Sequence, residues 1–116
     1  MAGDSAFEVR CERRDTTAVV TVSGELDLDS AEALSEVLQS PEAQAPTVVL
    51  DLRTVSFIDS SGLSVIVGEH RRSSAAGARF VVAVGGALAV QRLFELTGLG
   101  GAITLVADPD VALGGD

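Results

Sequence analysis

Residues 47–77 read TVVLDLRTVSFIDSSGLSVIVGEHRRSSAAG. The first part, 47–52, is almost continuously apolar, which is typical of a strand covered on both faces, and 55–58 continue or follow it. Asp59 and Gly77 are residue types that cap a helix at its start and end it in a left-handed conformation. The face that this helix turns to the core comprises Leu63, Ile66, Val67 and His70. A buried strand followed by about 15 residues of helix predicts a crossover to a parallel strand.

The chain before this segment predicts a hairpin and a first helix. Residues 7–11 alternate apolar and polar side chains, 18–22 are rich in β-branched residues, and a short polar turn separates them. We expect the helix to begin at the N-cap Asp29, with Glu32 as the reciprocal acid, and to end before Pro41. Its apolar face comprises Ala31, Leu34, Val37 and Leu38.

The chain after this segment repeats the pattern. Residues 79–84 and 103–106 predict strands, and a third helix between them ends at Gly98. The face of this helix comprises Val90, Leu93, Phe94 and Thr97. Pro109 stands at the first position of a final helical turn, and we expect the tail 114–116 to fray.

The order β β α β α β α β defines the fold class. It predicts an α/β domain with a mixed sheet of four to five strands, largely parallel in its later half, and helices packed against it. With 116 residues there is no room for a second domain. We expect one domain over residues 1–116, with an ordered core at about 6–113.

Charge and composition narrow the range of partners. The chain has 8 basic and 17 acidic residues and a formal net charge of −9; every basic residue is Arg, and Trp and Tyr are absent. Such a surface repels phosphate backbones and offers no stacking platform, so we expect no nucleic-acid partner. Residues 1–6 do not resemble a signal peptide, and the longest run without a polar side chain, 80–90, is too short to span a membrane. We therefore expect a cytoplasmic protein with no membrane partner.

The same composition disfavours most catalytic chemistry. Without Lys the chain has no Walker-type phosphate loop and no Schiff base, and with one Cys and one His it has no internal disulfide or multi-ligand zinc site. We predict no cofactor, no bound metal and no enzyme activity. Asp27 and Asp29 suggest a Mg²⁺ pair, but a partner surface and a helix cap are the favoured interpretation. Asp51 ends a strand, as the phosphoacceptor of a receiver domain does, but the accompanying Lys and acidic pair are missing, which favours a structural or solvated role.

Other polar residues are interpreted structurally. We expect Cys11 to be a small core or edge residue, with redox control as the minor alternative, and His70 to be a partly buried core residue. Ser60 is ten residues from His70 on the same predicted helix, or ~15 Å, so these two cannot form the nucleophile and base of a hydrolase. The glutamates expected on solvated faces are Glu8, Glu12, Glu36, Glu42, Glu69 and Glu95.

Two segments, 24–29 and 59–62, lie where a binding or modification site is expected in an α/β fold. Each lies where a strand is expected to end and a helix to begin, and ligands gather at this edge of open α/β sheets. The positive end of a helix tolerates a phosphate group, so Ser60 or Ser61 is a candidate for phosphorylation. The alternative, which physical reasoning alone favours, is that both serines and Asp59 only cap the helix.

Four stretches, in order and spacing, resemble the anti-sigma-factor antagonists, which are STAS domains. The stretch VSFIDSSGL at 55–63 is similar to the phosphorylation-site signature of that family. The others are VSGELD at 22–27, VLDL at 49–52 and RLFELTGL at 92–99. Ser64 departs from the pattern, because relatives often carry Gly there.

The resemblance implies a binding module controlled by phosphorylation. The unphosphorylated antagonist binds an anti-sigma factor, itself a serine kinase, and frees the sigma factor; phosphorylation ends the binding and a serine phosphatase restores it. The family's phosphoacceptor corresponds to Ser60, and the implied contact residues are Gly24, Glu25, Asp27, Asp59, Ser60, Ser61 and Gly62. The alternative within the family is a STAS scaffold or adaptor without a phosphorylation cycle.

Overall fold

The structure, a computed structural model, describes residues 7–113. Its elements in chain order are β1 (Glu8–Arg14), β2 (Thr17–Leu26), α1 (Leu28–Leu38), β3 (Thr47–Ile58), α2 (Ser60–Ala76), β4 (Arg79–Ala83), α3 (Leu88–Thr97), β5 (Thr104–Val106) and α4 (Pro109–Leu113). Short 3₁₀ turns follow α1 at Pro41–Ala43 and α3 at Leu99–Gly101. The predictions for 1–6 and for the tail 114–116 lie outside the described residues.

The five strands form one sheet in the order β1-β2-β3-β4-β5. β1 pairs with β2 antiparallel, as the predicted hairpin requires, and the three later pairings are parallel. The predicted α/β fold with a mixed sheet is therefore confirmed. Within 7–113, no helix is both long enough and apolar enough to cross a membrane.

Helices α1 to α3 cover the same face of the sheet. Successive right-handed crossovers that advance in one direction place every connecting helix on one side. The core formed there joins alternate strand residues to side chains from all three helices; its members include Val20, Leu50, Val82, Leu34, Ile66 and Phe94. The opposite face carries Val19, Val49 and Val81, which are also buried, and α4 packs across part of it. Burial of residues 48–52 on both faces confirms the expectation for β3.

β3 has two more residues than β2, and the pairing between these strands absorbs them in two irregularities. Thr21 pairs with Asp51 but Ser23 with Thr54, and Gly24 pairs with Val55 but Glu25 with Phe57. These are β-bulges, in which two residues of one strand oppose one of the other. A hydroxyl closes each bulge: Thr54 Oγ1 donates to the Val22 carbonyl at 3.1 Å, and Ser56 Oγ donates to the Gly24 carbonyl at 3.3 Å.

Helix α2 buries Gly62, Ile66, Glu69 and Ser73, of which only Ile66 belongs to the predicted face. Leu63 and Val67 of that face are partly buried against the core, and His70 is partly buried, as predicted. Gly77 ends the helix with φ 75°, as predicted. α1 ends at Leu38, three residues before Pro41, and Thr97 at the end of α3 is exposed.

The prediction that Glu69 is solvated is wrong. Its side chain is 6% exposed, it forms an ion pair with Arg72, and it accepts a hydrogen bond from Ser73 Oγ at 3.1 Å. Arg72 also donates to the Leu38 carbonyl at 2.9 Å, at the end of α1. A buried carboxylate is stable here because both oxygens are hydrogen-bonded and the charge is paired. The residue type alone predicts that a glutamate is exposed. The burial of Glu69 depends on Arg72 and Ser73, one turn further along α2, and on the contact of Arg72 with α1.

We expect Arg72→Leu to lower the free energy of unfolding by about 2 kcal/mol, because it leaves the Glu69 carboxylate without its cation. The figure is below that for a fully buried pair because the Arg72 side chain is 39% exposed. Urea unfolding measures the change. Arg71→Leu, at an exposed neighbour, is the matched control and should change stability by less than about 0.5 kcal/mol. Equal effects of the two substitutions would contradict a stabilising role for the ion pair.

Candidate functional site

The two segments that the sequence singles out lie side by side. Leu26 and Ile58 are paired at the carboxyl ends of the parallel strands β2 and β3, and Asp27 and Asp59 follow them directly. The Asp59 N–H donates to the Leu26 carbonyl at 3.3 Å. The predicted site residues at 24–27 and 59–62 are thus brought to one edge of the sheet.

Asp27, and not the predicted Asp29, is the N-cap of α1. Its carboxylate accepts from the Ser30 N–H at 3.2 Å, and Ser30 Oγ accepts from the Asp27 N–H at 2.9 Å, which closes a reciprocal capping box. Ser30 is buried and also donates to the Glu25 carbonyl at 2.7 Å, so this box is tied to the end of β2. Asp29 lies in the first turn of the helix, where an acid is favoured by the helix dipole.

Asp59 caps α2, as predicted. Its Oδ1 accepts from the N–H groups of Ser61 at 2.9 Å and Gly62 at 3.3 Å. These are two of the N–H groups that the start of a helix leaves without a partner. Because the Asp59 carboxylate occupies them, a group attached to a neighbouring side chain cannot use them without displacing it.

Ser60 is the accessible hydroxyl of the two serines. It is the first residue of α2 and is exposed, whereas Ser61 is partly buried. An attached group on Ser60 projects into solvent without displacing any packed side chain. The geometry therefore distinguishes between serines that composition leaves equivalent.

Gly62 is required by a close approach to β2. A Cβ atom at this position would lie 2.7 Å from Leu26 Cγ and 2.9 Å from the Leu26 carbonyl oxygen. Non-bonded carbon atoms come no closer than about 3.5 Å without repulsion. Only glycine lets the first turn of α2 lie this close to the end of β2.

Gly24 and Glu25 lie in the second bulge. Gly24 has φ 91°, a conformation that side chains rarely adopt, and the register slips between Gly24 and Glu25. The Glu25 side chain is exposed next to Asp27 and Asp29, and together with Phe7 they line a shallow depression of about 290 Å³. This depression at the start of α1 is therefore acidic.

Two exposed apolar side chains at this edge were missed by sequence reasoning. Leu28 is 71% exposed at the first position of α1, and Phe57 is 46% exposed opposite Glu25. Leu28 was detectable as an apolar residue between two acids at a helix start. Phe57 had no signal, because the bulge at Ser56 disturbs the alternation that would show which way it points.

The other candidates lie away from this edge or are satisfied structurally. Asp51 is buried and forms an ion pair with Arg53 at 3.0 Å, which confirms a structural role. Cys11 lies partly buried on the edge strand β1, where burial raises the pKa of its thiol. In residues 7–113, no group of three or more His, Cys, Asp or Glu side chains is arranged to hold a metal ion.

Comparisons with known proteins agree with this arrangement. A family model described as the STAS domain matches residues 8–112. An anti-sigma-B factor antagonist of Listeria monocytogenes serovar 1/2a is 33% identical over 95 residues, covering 80% of this chain and 82% of that protein. The anti-sigma-B factor antagonist of Bacillus subtilis strain 168 is 31% identical over 100 residues, covering 80% of this chain and 84% of that protein. The crystal structure of an anti-sigma factor antagonist from Mycobacterium paratuberculosis superposes with a TM-score of 0.87 at 29% identity, covering 99% of this chain and 97% of that one.

We expect Gly62→Ala to lower the free energy of unfolding by about 1–2 kcal/mol, because the overpacking against Leu26 exceeds the gain in helix propensity. Gly68→Ala is the matched control in the same helix, since a Cβ there meets nothing within 4 Å. That substitution should stabilise the protein by about 0.5–1 kcal/mol. Thermal and urea unfolding measure both, and stabilisation by Gly62→Ala would rule out the close approach.

The Asp27 cap makes the stability of the fold depend on pH, and the direction of the lowered pKa fixes the direction of that dependence. The hydrogen bond from the Ser30 backbone N–H, followed by that from the Ser30 hydroxyl, lowers the pKa of Asp27 from its ordinary value of 3.8. Its contribution to stability is therefore complete above this ordinary value and is lost as the pH falls through the lower pKa of the folded state. NMR titration of the Asp27 carboxyl should show Ser30→Ala moving this pKa upward. Ser35→Ala on the same helix is the control, and equal shifts in both variants would contradict the capping box.

Proposed function

Because the chain belongs to the STAS domain family, we propose that it is an anti-sigma factor antagonist. In its unphosphorylated form it binds an anti-sigma factor that is a serine kinase, and this binding releases the sigma factor. The kinase then phosphorylates Ser60 and so ends the binding, and a serine phosphatase restores it. The protein acts in the cytoplasm as a binding module and not as an enzyme.

The observation that carries this proposal is the exposure of the Ser60 hydroxyl at the start of a rigidly capped helix. A kinase must reach the hydroxyl oxygen, and Ser60 presents it from the first turn of α2. The cap by Asp59 and the contact of Gly62 with Leu26 hold this turn against β2. Such a hydroxyl is pre-organised for transfer, which lowers the entropic cost of positioning it.

The contact surface extends from Ser60 over the neighbouring loop. Glu25 and Asp27 contribute charge, and the exposed Leu28 and Phe57 contribute apolar area at the same edge of the sheet. Gly24, Asp59, Ser61 and Gly62 shape the backbone of this surface. An apolar centre within a polar rim is typical of protein–protein interfaces.

Phosphorylation would weaken this contact through charge and desolvation. It adds about −1.5 to −2 charges at Ser60. The new group would lie beside the Asp59 carboxylate, which already occupies the N–H groups of Ser61 and Gly62. A dianion buried in an interface without a dedicated partner costs several kcal/mol, and a few kcal/mol corresponds to a loss of a hundredfold or more in affinity. The fold itself should be unaffected, because the side chain points into solvent.

We expect Ser60→Ala to remain bound to the anti-sigma kinase in the presence of ATP and Ser60→Asp to bind at least a hundredfold more weakly. Candidate anti-sigma kinases of the source organism are incubated with ATP and each variant, affinity is measured by calorimetry, and mass spectrometry maps the modified residue. Ser61→Ala is the matched control and should still be phosphorylated and released.

Three outcomes would contradict this assignment. Equal affinity of the Ser60→Ala and Ser60→Asp variants would remove the switch from Ser60. Modification confined to Ser61 would transfer it to the neighbouring residue. Stable binding without phosphorylation by any candidate kinase would favour a STAS scaffold or adaptor instead.

A further inference from the structure

The outer edge of β1 has a charge pattern that is complementary to itself. The strand reads EVRCERR over Glu8–Arg14, and its even-numbered side chains alternate in sign. Glu8, Arg10, Glu12 and Arg14 all line one groove on the open face of the sheet. β1 is the terminal strand of the sheet and, with seven residues, is much longer than β5 at the other end.

We propose that two copies of this chain associate through antiparallel pairing of their β1 strands, with the two-fold axis at Cys11. In that register Glu8 faces Arg14 of the second copy, and Arg10 faces Glu12 of the second copy. The symmetry doubles each contact, giving four opposite-charge pairs. The two sheets then form one continuous sheet of ten strands.

The pattern selects this register over its neighbours. A shift that moves the axis to residue 10 places Arg10 opposite Arg10 of the second copy and Glu8 opposite Glu12. A shift that moves it to residue 12 places Glu12 opposite Glu12 and Arg10 opposite Arg14. Like charges directly opposite each other destabilise an antiparallel pair, so both shifts are disfavoured.

The same side chains argue against a purely protective role for the charged edge. Edge strands are guarded against self-association by charges that repel a second copy. β1 carries two Glu and three Arg, although the net charge of the chain is −9. Because the signs alternate along the strand, two antiparallel copies of β1 attract each other instead of repelling each other. Glu12 already lies 3.4 Å from its own Arg14, but both side chains are more than half exposed, and such a pair is weak enough to exchange.

Pairing at this edge leaves the rim around Ser60 open. β1 extends the sheet sideways, whereas the site lies at the carboxyl ends of β2 and β3. The association therefore needs neither phosphorylation nor an anti-sigma factor. Its test uses the unphosphorylated chain alone, so it succeeds or fails separately from the function proposed for Ser60.

Sedimentation equilibrium over a hundredfold range of concentration tests the proposal. We expect the mass of the wild type to rise from 11.9 kDa towards twice that value. Glu12→Arg should weaken the dimer about tenfold or more, because it converts two attractive pairs into repulsive ones. The double variant R10E/E12R restores every pair and should recover the wild-type affinity.

Matched controls carry the same charge changes elsewhere. E95R and R92E/E95R alter exposed residues of α3, a helix that packs against β3, and should leave the dimer unchanged. A wild type that stays monomeric throughout, as when another protein's strand is the natural occupant of this edge, overturns the proposal. So does a double variant that dissociates as readily as E12R.

Cys11 supplies an independent readout, since only residue 11 faces itself across the axis. Oxidation with copper phenanthroline at alkaline pH, where a thiol of raised pKa reacts, should link the two copies through Cys11. The control is C11S/A75C, whose cysteine lies at an exposed position of α2 and measures collisional cross-linking. Cross-linking through Cys11 should be at least tenfold faster than in this control, and equal rates would overturn the predicted register.

Discussion

The contact between Leu26 and Gly62 is the constraint on which the site depends. Leu26 is completely buried at the end of β2, its carbonyl accepts from the Asp59 N–H, and its side chain lies where any Cβ on Gly62 would have to be. This contact fixes the distance between the first turn of α2 and the end of β2. The position of the Ser60 hydroxyl follows from it, because a helix held by its first turn leaves its first residue little freedom to move.

Two helix starts of similar design lie next to each other at this edge. In each, an aspartate directly follows a buried strand residue and accepts hydrogen bonds from the first turn of the next helix. They differ in what lies behind the cap: buried Ser30 closes a reciprocal box at Asp27, whereas close-fitting Gly62 follows Asp59. In both helices the first residue is exposed, and it is an apolar Leu28 in α1 and a hydroxyl-bearing Ser60 in α2.

The sequence predicts the order of elements well because the apolar runs and helix stops are local signals. The strand at residues 47–52, the cap at Asp59 and the end at Gly77 depend on residues within one or two turns of each other. The cap of α1 was misplaced by two residues because Asp27 and Asp29 are both good caps, and the choice depends on the link from Ser30 to β2. Glu69 was misjudged for a similar reason, since its burial depends on Arg72 and on α1. For the site, the sequence predicts which two loops form it, at 24–29 and 59–62. It does not predict that Ser60 is more exposed than Ser61 or which way Phe57 points, because both depend on how β3 and α2 pack against β2.

The paired bulges of β3 also restrict how this strand can change over evolutionary time. Thr54 and Ser56 each hold one surplus residue against β2. Deletion of one of the two surplus residues would turn each side chain from that bulge to the end of β3 towards the opposite face of the sheet, because side chains alternate with a period of two. Loss of both surplus residues keeps these directions intact. Length variation within this strand should therefore occur in steps of two, and an alignment that opens a one-residue gap there joins positions that point to opposite sides of the sheet.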